Sequence, residues 1–310
     1  MTSTDWTTEL HRAMDDATNH LKNGDIVAAF GILGNGMTEI WANAFAQGRV
    51  NHAIAAVREH ELFSIAHQDP YSHRAYKKPR GYAGDAVMMD YVYAGVAADG
   101  TTDLGKAVFT GTTRGSMGLS VLFRRHLLTA CINEVISSRS DFKILSVASG
   151  HCREVEGSLL ANPALAKAGR LVAFDQDKES CETVKHDYAQ YPVDVVCASV
   201  RKLLASGESS LGKFDLIYSA GLFDYLTDPV AEKLVAALAA MLKPGGKLLV
   251  GNFAPSSGGR GYMELFLDWK LIYRDATELC RLFGKERAAS TTSFLDPHSN
   301  VVYAEWRCPS

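Results

Sequence analysis

The stretch that decides the fold is ILSVASGHCREVE, residues 144–156. An apolar, strand-forming run meets the single Gly150 and turns at once into a charged segment that suits a helix. A strand that enters a helix through such a turn is typical of nucleotide-binding βα units, where backbone N–H groups approach the ligand. The G-x-G-x-x-G fingerprint of dinucleotide sites is absent from it. The stretch therefore predicts a small-molecule site on this turn and leaves open which molecule binds there.

The sequence around this stretch alternates between strand and helix periods from Phe142 onward. Five such alternations and a terminal strand pair predict an α/β fold, a doubly wound parallel sheet with an antiparallel edge hairpin. We expect helical segments between the strands and a helix at 260–282. The predicted strands are 142–148, 170–175, 193–197, 214–219, 245–252, 287–294 and 300–307.

The residues before the sheet predict a helical region. Apolar residues recur at three-to-four spacing through residues 5–66, and further helices are expected at 85–98 and 116–138. Residues 67–84 carry two prolines, two glycines and four Lys/Arg residues, which predict a loop. We therefore predict an N-terminal helical cap and lid in residues 1–115, followed by a ligand-binding domain in residues 116–310.

The composition excludes several classes of partner. The chain has 310 residues, 47% hydrophobic and 22% charged, and its net charge of −3 is spread rather than blocked, which disfavours nucleic acid and anionic membranes as partners. The N-terminal residues lack the basic-then-apolar order of a signal peptide. The six cysteines lie far apart without metal-binding spacing, so no metal site is predicted and reduced thiols in a cytoplasmic protein are expected. Cys152 is the exception, because it borders the ligand turn.

Ligands of open parallel sheets bind at the carboxyl ends of the strands, so polar residues there are candidates. Asp175 ends an apolar strand 25 residues after Gly150, where a carboxylate can accept hydrogen bonds from ribose hydroxyls. The alternative is that Asp175 only caps the next helix. The other strand-end candidates are Ala148 and Ser149 after the first strand, Ser199 and Val200 after the third, and Ser219 after the fourth.

Taken together, ILSVASG, AFDQD, FDLIYSAGLFDYL and LKPGGKLLVGNF resemble the motifs of class I S-adenosylmethionine-dependent methyltransferases, in order and spacing, over about residues 116–308. The resemblance implies a Rossmann-like seven-stranded sheet with a reversed final hairpin and S-adenosyl-L-methionine as the cofactor. By position, 148–150 would contact its methionine part, Asp175 its ribose, and Ser199 with Val200 its adenine edge. The chain departs from the usual glycine-richer first motif, because His151 and Cys152 occupy the turn.

A narrower resemblance lies in the N-terminal half. The segment PRGYAGD, residues 79–85, is similar to a segment of bacterial methyltransferases that act on hydroxy fatty acids to make 3-hydroxypalmitate methyl ester. Small bacterial enzymes that methylate the sulfur of methionine are a related possibility. Fold and cofactor motifs are shared across very different acceptors, so the resemblance does not transfer a substrate. It implies a small-molecule methyltransferase.

Methyl transfer from a sulfonium is an in-line displacement that depends on alignment and exclusion of water. An amine or hydroxyl acceptor also needs a base, for which Asp85, Asp224 and His298 are candidates, whereas a carboxylate or thioether does not. Tyr82 and Tyr225 could position the acceptor, and the Tyr82/Asp85 pair suits a cationic sulfonium. The predicted catalytic residues are Tyr82, Asp85, Asp224 and Tyr225.

Substrate contacts are expected from the same loop and from the segment after residue 260. Arg80 could hold a carboxylate in a bidentate fork, beside Tyr82 and Asp85. Tyr273 and Arg274 could form a pocket wall. Met263, Glu264 and Trp269 are further candidates for that wall.

Two other function classes remain open from the sequence. A nicotinamide-dependent oxidoreductase would share the sheet type, although the missing glycine fingerprint and the terminal hairpin oppose it. A non-catalytic S-adenosylmethionine-binding regulatory protein would share every cofactor motif. The sequence does not identify the acceptor, and it leaves homodimer formation open.

Overall fold

The computed structural model describes residues 6–139, 141–162, 169–205 and 211–310. The chain divides into two compact units, residues 1–121 with 256–270 and residues 122–255 with 271–310. The helices in the described residues are α1 (Trp6–Lys22), α2 (Ile26–Gly31), α3 (Met37–Ala46), α4 (Val50–Glu59), α5 (Glu61–Ala66), α6 (Pro70–Lys77), α7 (Ala86–Ala94), α8 (Asp103–Arg114), α9 (Ser116–Ser138), α10 (Lys178–Asp187), α11 (Arg201–Ala205), α12 (Asp228–Ala240), α13 (Arg260–Phe266), α14 (Ala276–Arg281) and α15 (Lys285–Ala288). The strands are β1 (Lys143–Val147), β2 (Arg170–Asp175), β3 (Val193–Cys197), β4 (Phe214–Ser219), β5 (Leu242–Phe253), β6 (Thr292–Leu295) and β7 (Val301–Arg307).

The first unit is helical, as its apolar period predicts. In α1 the buried Leu10, Met14 and Leu21 fall on one face of the helix. The predicted helical region divides into α1 to α5, and left-handed glycines mark two of the divisions, Gly24 at φ +77° and Gly48 at φ +66°. None of the helices in the described part of the chain combines the length and the apolar character that crossing a membrane requires.

The loop predicted at 67–84 is wrong over eight of its 18 residues, because α6 runs from Pro70 to Lys77. Proline suits the first turn of a helix, where its missing N–H has no intrahelical partner. The Asp69 side chain caps α6 by accepting from the N–H groups of Tyr71 and Ser72. Lys78 adopts a left-handed conformation and ends the helix, which leaves residues 78–85 as the connection to α7.

The second unit contains the seven-stranded sheet, with strand order β3-β2-β1-β4-β5-β7-β6. β1 to β5 pair in parallel, whereas β7 pairs antiparallel with both β5 and β6. The predicted Rossmann-like fold with an antiparallel C-terminal hairpin is confirmed. The order reverses between β1 and β4, so a crevice is expected at the carboxyl ends of these two strands.

One face of the sheet forms the main core of this unit. Apolar residues of the parallel strands, among them Leu145, Ile217 and Val250, pack in one buried cluster with Leu234 of α12 and Leu279 of α14. β4 is buried along its whole length, as expected for a central strand covered on both faces. The core therefore holds the carboxyl ends of β1 and β4 in fixed relative positions.

The backbone through Pro244, Gly245 and Gly246 is left-handed at Gly245, at φ +72°. The strand assignment nevertheless continues through it, since β5 begins at Leu242 and its pairing with β4 shifts register between Phe214 and Leu216. A Cβ on Gly246 would lie 2.9 Å from the Phe214 carbonyl oxygen, so this position needs glycine. The irregularity keeps the rest of β5 in register with β4.

Two predictions near the C-terminus are wrong. The helix expected at 260–282 is interrupted, because Asp268 takes a left-handed φ of +47° and α14 starts only after a capping box at Asp275. The strand expected at 287–294 begins at Thr292 instead, since residues up to Ala288 complete the short helix α15. Single-sequence periodicity is ambiguous for such short segments.

Candidate active site at the β1–β4 switch point

The turn after β1 has an unusual backbone. Ala148, Gly150 and Cys152 all have positive φ, between +53° and +55°. Two of the three are not glycine, and left-handed conformations of such residues cost free energy and concentrate at functional sites. The turn is held by bonds from the Ser149 N–H to the Phe174 carbonyl and from the Cys152 N–H to the Ser149 carbonyl. The geometry expected at residues 148–150 is therefore present as a rigid, strained turn.

Asp175 connects this turn to the end of β2. Its Oδ2 accepts a hydrogen bond from the Gly150 N–H at 2.8 Å, and its Oδ1 accepts one from the Asp177 N–H at 2.8 Å. The carboxyl is 8% exposed, and burial raises its pKa. The cap of α10 is Asp177, whose side chain accepts from the Glu179 N–H, rather than Asp175. A carboxylate has about four acceptor sites, so Asp175 can accept from ribose hydroxyls besides these backbone N–H groups.

The other cofactor candidates lie at neighbouring strand ends. The Ala198 N–H donates to the Asp175 carbonyl. The half-buried Ser199 and Val200 follow Ala198 directly in the chain. Ser219 is buried, and its hydroxyl donates to the Val147 carbonyl at 2.9 Å. This bond ties the end of β4 to the end of β1. Contact of these residues with a cofactor stays a prediction.

Asp224 follows β4 and is the most perturbed carboxyl of this site. Its Oδ1 accepts from the Phe253 N–H at 2.6 Å, and its own carbonyl accepts from the Ile272 N–H. Burial raises the pKa of Asp224 to about 7, partly offset by the Phe253 N–H and the charges of Arg124 and Arg274. A carboxyl that titrates near neutral pH suits general-base chemistry. Tyr225, the next residue, is 40% exposed.

Arg274 is fully buried and organises the same loop. Its Nε and Nη2 donate to Asp228 Oδ1, and its remaining N–H groups reach the Phe223 and Leu226 carbonyls and the Asn252 side chain at 2.6–2.8 Å. A guanidinium has five N–H donors, and these five bonds use them all. The structure thus favours a structural role for Arg274 over the predicted substrate contact. Tyr273 is half-buried beside it.

Arg124 on α9 is a site residue that was not predicted from the sequence. Its Nη1 donates to the Ala220 carbonyl at 3.0 Å, and its charge acts on Asp224. A half-buried guanidinium is thereby placed against the turn after β4. The available signal was the Arg124–Arg125 pair within an otherwise apolar helix, LFRRHLL.

A second missed feature is a buried polar cluster behind the β1 turn. The Tyr218 hydroxyl donates to Glu154 Oε1 at 2.6 Å, and the Cys152 thiol donates to the same oxygen at 3.5 Å. Burial raises the pKa of both Tyr218 and Cys152, so both groups stay protonated and can donate to the carboxylate. Cys152 thus supports the turn from behind, and its left-handed backbone is held in place by this network.

The predicted N-terminal site residues lie in the first unit. Asp85 is 1% exposed, caps α7 by accepting from the Met88 N–H, and forms a bidentate ion pair with Arg74 at 2.7–2.9 Å. This gives Asp85 a structural role that the sequence did not predict. Arg80 and Tyr82 are half-buried in the connection 78–85. In the second unit, His298 is half-buried after β6, where its N–H donates to Asp296.

Metal-assisted chemistry has no evident site in the described ranges, where no group of three or more His, Cys, Asp or Glu residues is arranged to hold an ion. The candidate residues of the second unit instead form two connected groups. Asp175 and the β1 turn form the first group, and Asp224, Arg124 and Arg274 around the β4 loop form the second. Asp175 offers a hydrogen-bond acceptor, and Asp224 offers a carboxyl whose pKa is near 7. This combination suits an organic ligand with polar groups.

Comparison with known proteins shows what this segment and this fold are similar to. Residues 144–246 match the methyltransferase domain family. No curated protein matches the chain at a significant level. A possible exported protein of Bordetella parapertussis is similar in fold over the whole of both chains, with 15% identity and a TM-score of 0.59. A Thermobifida fusca protein, provisionally named a methyltransferase, shares 16% identity over 73% of this chain and 94% of its own, with a TM-score of 0.52.

The N-methyltransferase NodS of Bradyrhizobium japonicum, solved with S-adenosyl-l-homocysteine, covers 61% of this chain and 87% of its own at 17% identity and a TM-score of 0.42. The whole-chain similarities establish the fold, and the domain match covers β1 to the start of β5, which includes the strained turn and Asp175. The segment that matches the family model contains residues of β1 to β4, which are adjacent in the described sheet, with β2 and β3 on one side of β1 and β4 on the other. Residues 144–246 are therefore similar to a methyltransferase domain, and the fold of the chain agrees with that similarity.

Proposed function

We propose that this chain is an S-adenosyl-L-methionine-dependent methyltransferase that methylates a small, carboxylate-bearing metabolite. The acceptor would be an amino-acid-like thioether or amine, or a hydroxy fatty acid. The observation that carries the proposal is the buried Asp175 carboxylate, bonded at 2.8 Å to the Gly150 N–H of the β1 turn. That bond places a hydrogen-bond acceptor for hydroxyls directly beside the strained turn, at the switch point where open sheets bind ligands.

The cofactor is S-adenosyl-L-methionine, whose sulfonium supplies an activated methyl group when it is bound. Asp175 would accept hydrogen bonds from the two ribose hydroxyls. The backbone of residues 148–150 would contact the methionine part, and Ser199 with Val200 would line the adenine edge. Ser219 would border the sulfonium from the end of β4. A single ribose without a pyrophosphate explains why one glycine, Gly150, is enough in this turn.

Asp224 would act as the base where the acceptor is an amine or a hydroxyl. Its pKa of about 7 leaves a substantial fraction ionised at neutral pH, as proton acceptance requires. Tyr225 follows it and would position the acceptor through its exposed ring. Arg124 lies against the turn after β4, where its charge would attract an acceptor carboxylate. A carboxylate or thioether acceptor needs no base, and Asp224 would then act only by holding the loop.

The first unit would supply the acceptor lid. In the connection 78–85, Arg80 would pair with the acceptor carboxylate and Tyr82 would offer an aromatic face to the sulfonium. The ion pair of Asp85 with Arg74 supports an anchoring role, which would fix the start of α7 and thereby the position of the connection. The PRGYAGD resemblance supports this assignment and the small-molecule acceptor. We place the enzyme in the cytoplasm and leave homodimer formation to measurement.

Calorimetric titration of the full chain with S-adenosylmethionine, S-adenosylhomocysteine and NAD tests the cofactor. We expect the first two to bind and NAD not to bind. Release of S-adenosylhomocysteine is then followed with three acceptor sets: hydroxy fatty acids, methionine-like thioethers and amino-acid amines. Turnover with one set and not with the others would identify the acceptor class.

Three outcomes would contradict the proposal in different ways. Binding of NAD with hydride transfer would favour an oxidoreductase. Binding of S-adenosylmethionine without methyl loss, even in a whole metabolite extract, would favour a regulatory protein. Turnover only with acceptors that lack a carboxylate would overturn the proposed acceptor class while leaving the reaction intact.

A further inference from the structure

Two cysteines, far apart in sequence, meet beside Asp175. Cys181 lies on α10, one turn after the Asp177 cap, and its thiol donates to the Asp175 carbonyl at 3.5 Å. Cys197 ends β3 and is the direct register partner of Asp175 in the parallel ladder. Register partners present their side chains on the same face of a sheet, and α10 packs against both β2 and β3. Both cysteines therefore adjoin the Asp175 carbonyl, which accepts from the Cys181 thiol and from the N–H of Ala198, the residue after Cys197.

The two thiols differ in the way that directional oxidation requires. Cys197 is exposed to solvent, whereas Cys181 is buried. Burial, followed by the neighbouring Cys197, raises the pKa of Cys181 to about 12. Lys185, on the next turn of α10, is ion-paired with Glu182, and its charge also interacts with both sulfurs. Cys197 is therefore the thiol that an oxidant meets first, and Cys181 is the buried thiol held against the same Asp175 carbonyl.

We propose that Cys181 and Cys197 form an oxidisable dithiol, a covalent modification site at the cofactor-binding edge of the sheet. The oxidant is a peroxide. The Cys197 thiolate attacks hydrogen peroxide, so an S–O bond forms, the O–O bond breaks and the departing hydroxide is protonated to water. The Cys181 sulfur then displaces this oxygen from Cys197, so an S–S bond forms, the S–O bond breaks and the Cys181 proton leaves in a second water. Two thiols are oxidised and one peroxide is reduced to two waters.

The bond would reach the cofactor site through Asp175. A disulfide holds two sulfurs about 2 Å apart, closer than two free thiols can approach, so the first turn of α10 and the end of β3 must move toward each other. The Asp175 carbonyl connects these two segments, since it accepts from both the Cys181 thiol and the Ala198 N–H. Movement of this backbone shifts the carboxylate that holds Gly150. This consequence for cofactor binding rests on the proposed function, whereas the dithiol itself does not.

The test oxidises the reduced full chain with one equivalent of hydrogen peroxide and measures intact mass and cross-linked peptides. We expect a loss of about 2 Da and one cross-link between the peptides of Cys181 and Cys197. Cys181→Ser and Cys197→Ser should each abolish it, whereas Cys280→Ser, at a half-buried thiol, should not. Conversion of Cys197 in the parent protein to sulfinic acid without a cross-link would overturn the proposal. The parent measurement needs no substitution, so it decides the matter even if a variant fails to fold.

Calorimetry of the same samples tests the coupling. Oxidised parent protein should bind S-adenosylmethionine at least about tenfold more weakly than reduced protein, and dithiothreitol should restore the affinity. Equal affinity of both forms would overturn the coupling. Failure of the reduced protein to bind any cofactor would overturn the proposed function, and the cross-link would still decide the dithiol proposal.

Discussion

Replacement of Arg274 by methionine tests whether this residue holds the β4 loop or binds substrate. The variant removes five hydrogen bonds and leaves the Phe223 carbonyl and the Asn252 side chain without their donor in a buried setting. Each buried acceptor left unsatisfied costs about 1–3 kcal/mol. The ion pair with Asp228 adds little, because that carboxylate is 66% exposed. We expect a loss of about 4 kcal/mol in the free energy of unfolding.

Urea unfolding followed by circular dichroism measures this loss, which corresponds to a fall in Tm of about 10 °C for a unit of this size. Arg281→Met, at an exposed position one helix further on, is the matched control and should change stability by less than about 0.5 kcal/mol. Arg274→Lys should not rescue stability, since an ammonium cannot reproduce the planar fork. A variant as stable as the parent, with a raised KM for acceptor, would refute the structural role and restore the substrate contact that the sequence predicts.

Three further predictions concern the site. Asp175→Ala should weaken cofactor binding by about tenfold or more, measured by calorimetry, because it removes a charged, buried acceptor. The control Asp194→Ala, at an exposed carboxylate on β3, should leave cofactor binding unchanged, and equal effects of the two variants would remove Asp175 from the site. The folded pKa of Asp224 lies above its unfolded value of 3.8, so its contribution destabilises the fold as pH rises from about 4 to about 7, by as much as about 4 kcal/mol. Asp224→Asn should therefore gain stability relative to the parent over that range, and a pH-independent difference between their urea midpoints would contradict the burial argument. Tyr82→Ala should lower turnover at least about tenfold with little loss of stability. Asp85→Ala should instead lower the free energy of unfolding by about 3 kcal/mol, because it removes the ion pair that Asp85 forms with the Arg74 guanidinium. Parent-like turnover of Tyr82→Ala would leave the proposed lid without support.

Local sequence patterns were sufficient to predict most strands of the sheet. β2, β3 and β4 have the predicted bounds because each is a short apolar run ended by a polar or small residue, and the parallel order follows from the helices between them. The spacing from Gly150 to Asp175 likewise predicted a carboxylate beside the first turn, since both positions end adjacent strands. Where local signals compete, the prediction failed, as for α6, whose proline and cap resemble loop chemistry in sequence.

The sequence by itself determined the fold class, the turn at Gly150 and the carboxylate at Asp175, because each depends on residues that are neighbours in one strand or one turn. Only the tertiary structure decided the roles of Asp85, Asp224 and Arg274. The deciding partners are distant in the chain: Arg74 lies 11 residues from Asp85, Phe253 lies 29 from Asp224, and Phe223 lies 51 from Arg274. The same charged residue binds a ligand or holds a loop according to which acceptors and donors surround it after folding. Burial also depends on the tertiary structure, and desolvation in the folded state is what raises the pKa of Asp224 toward neutral.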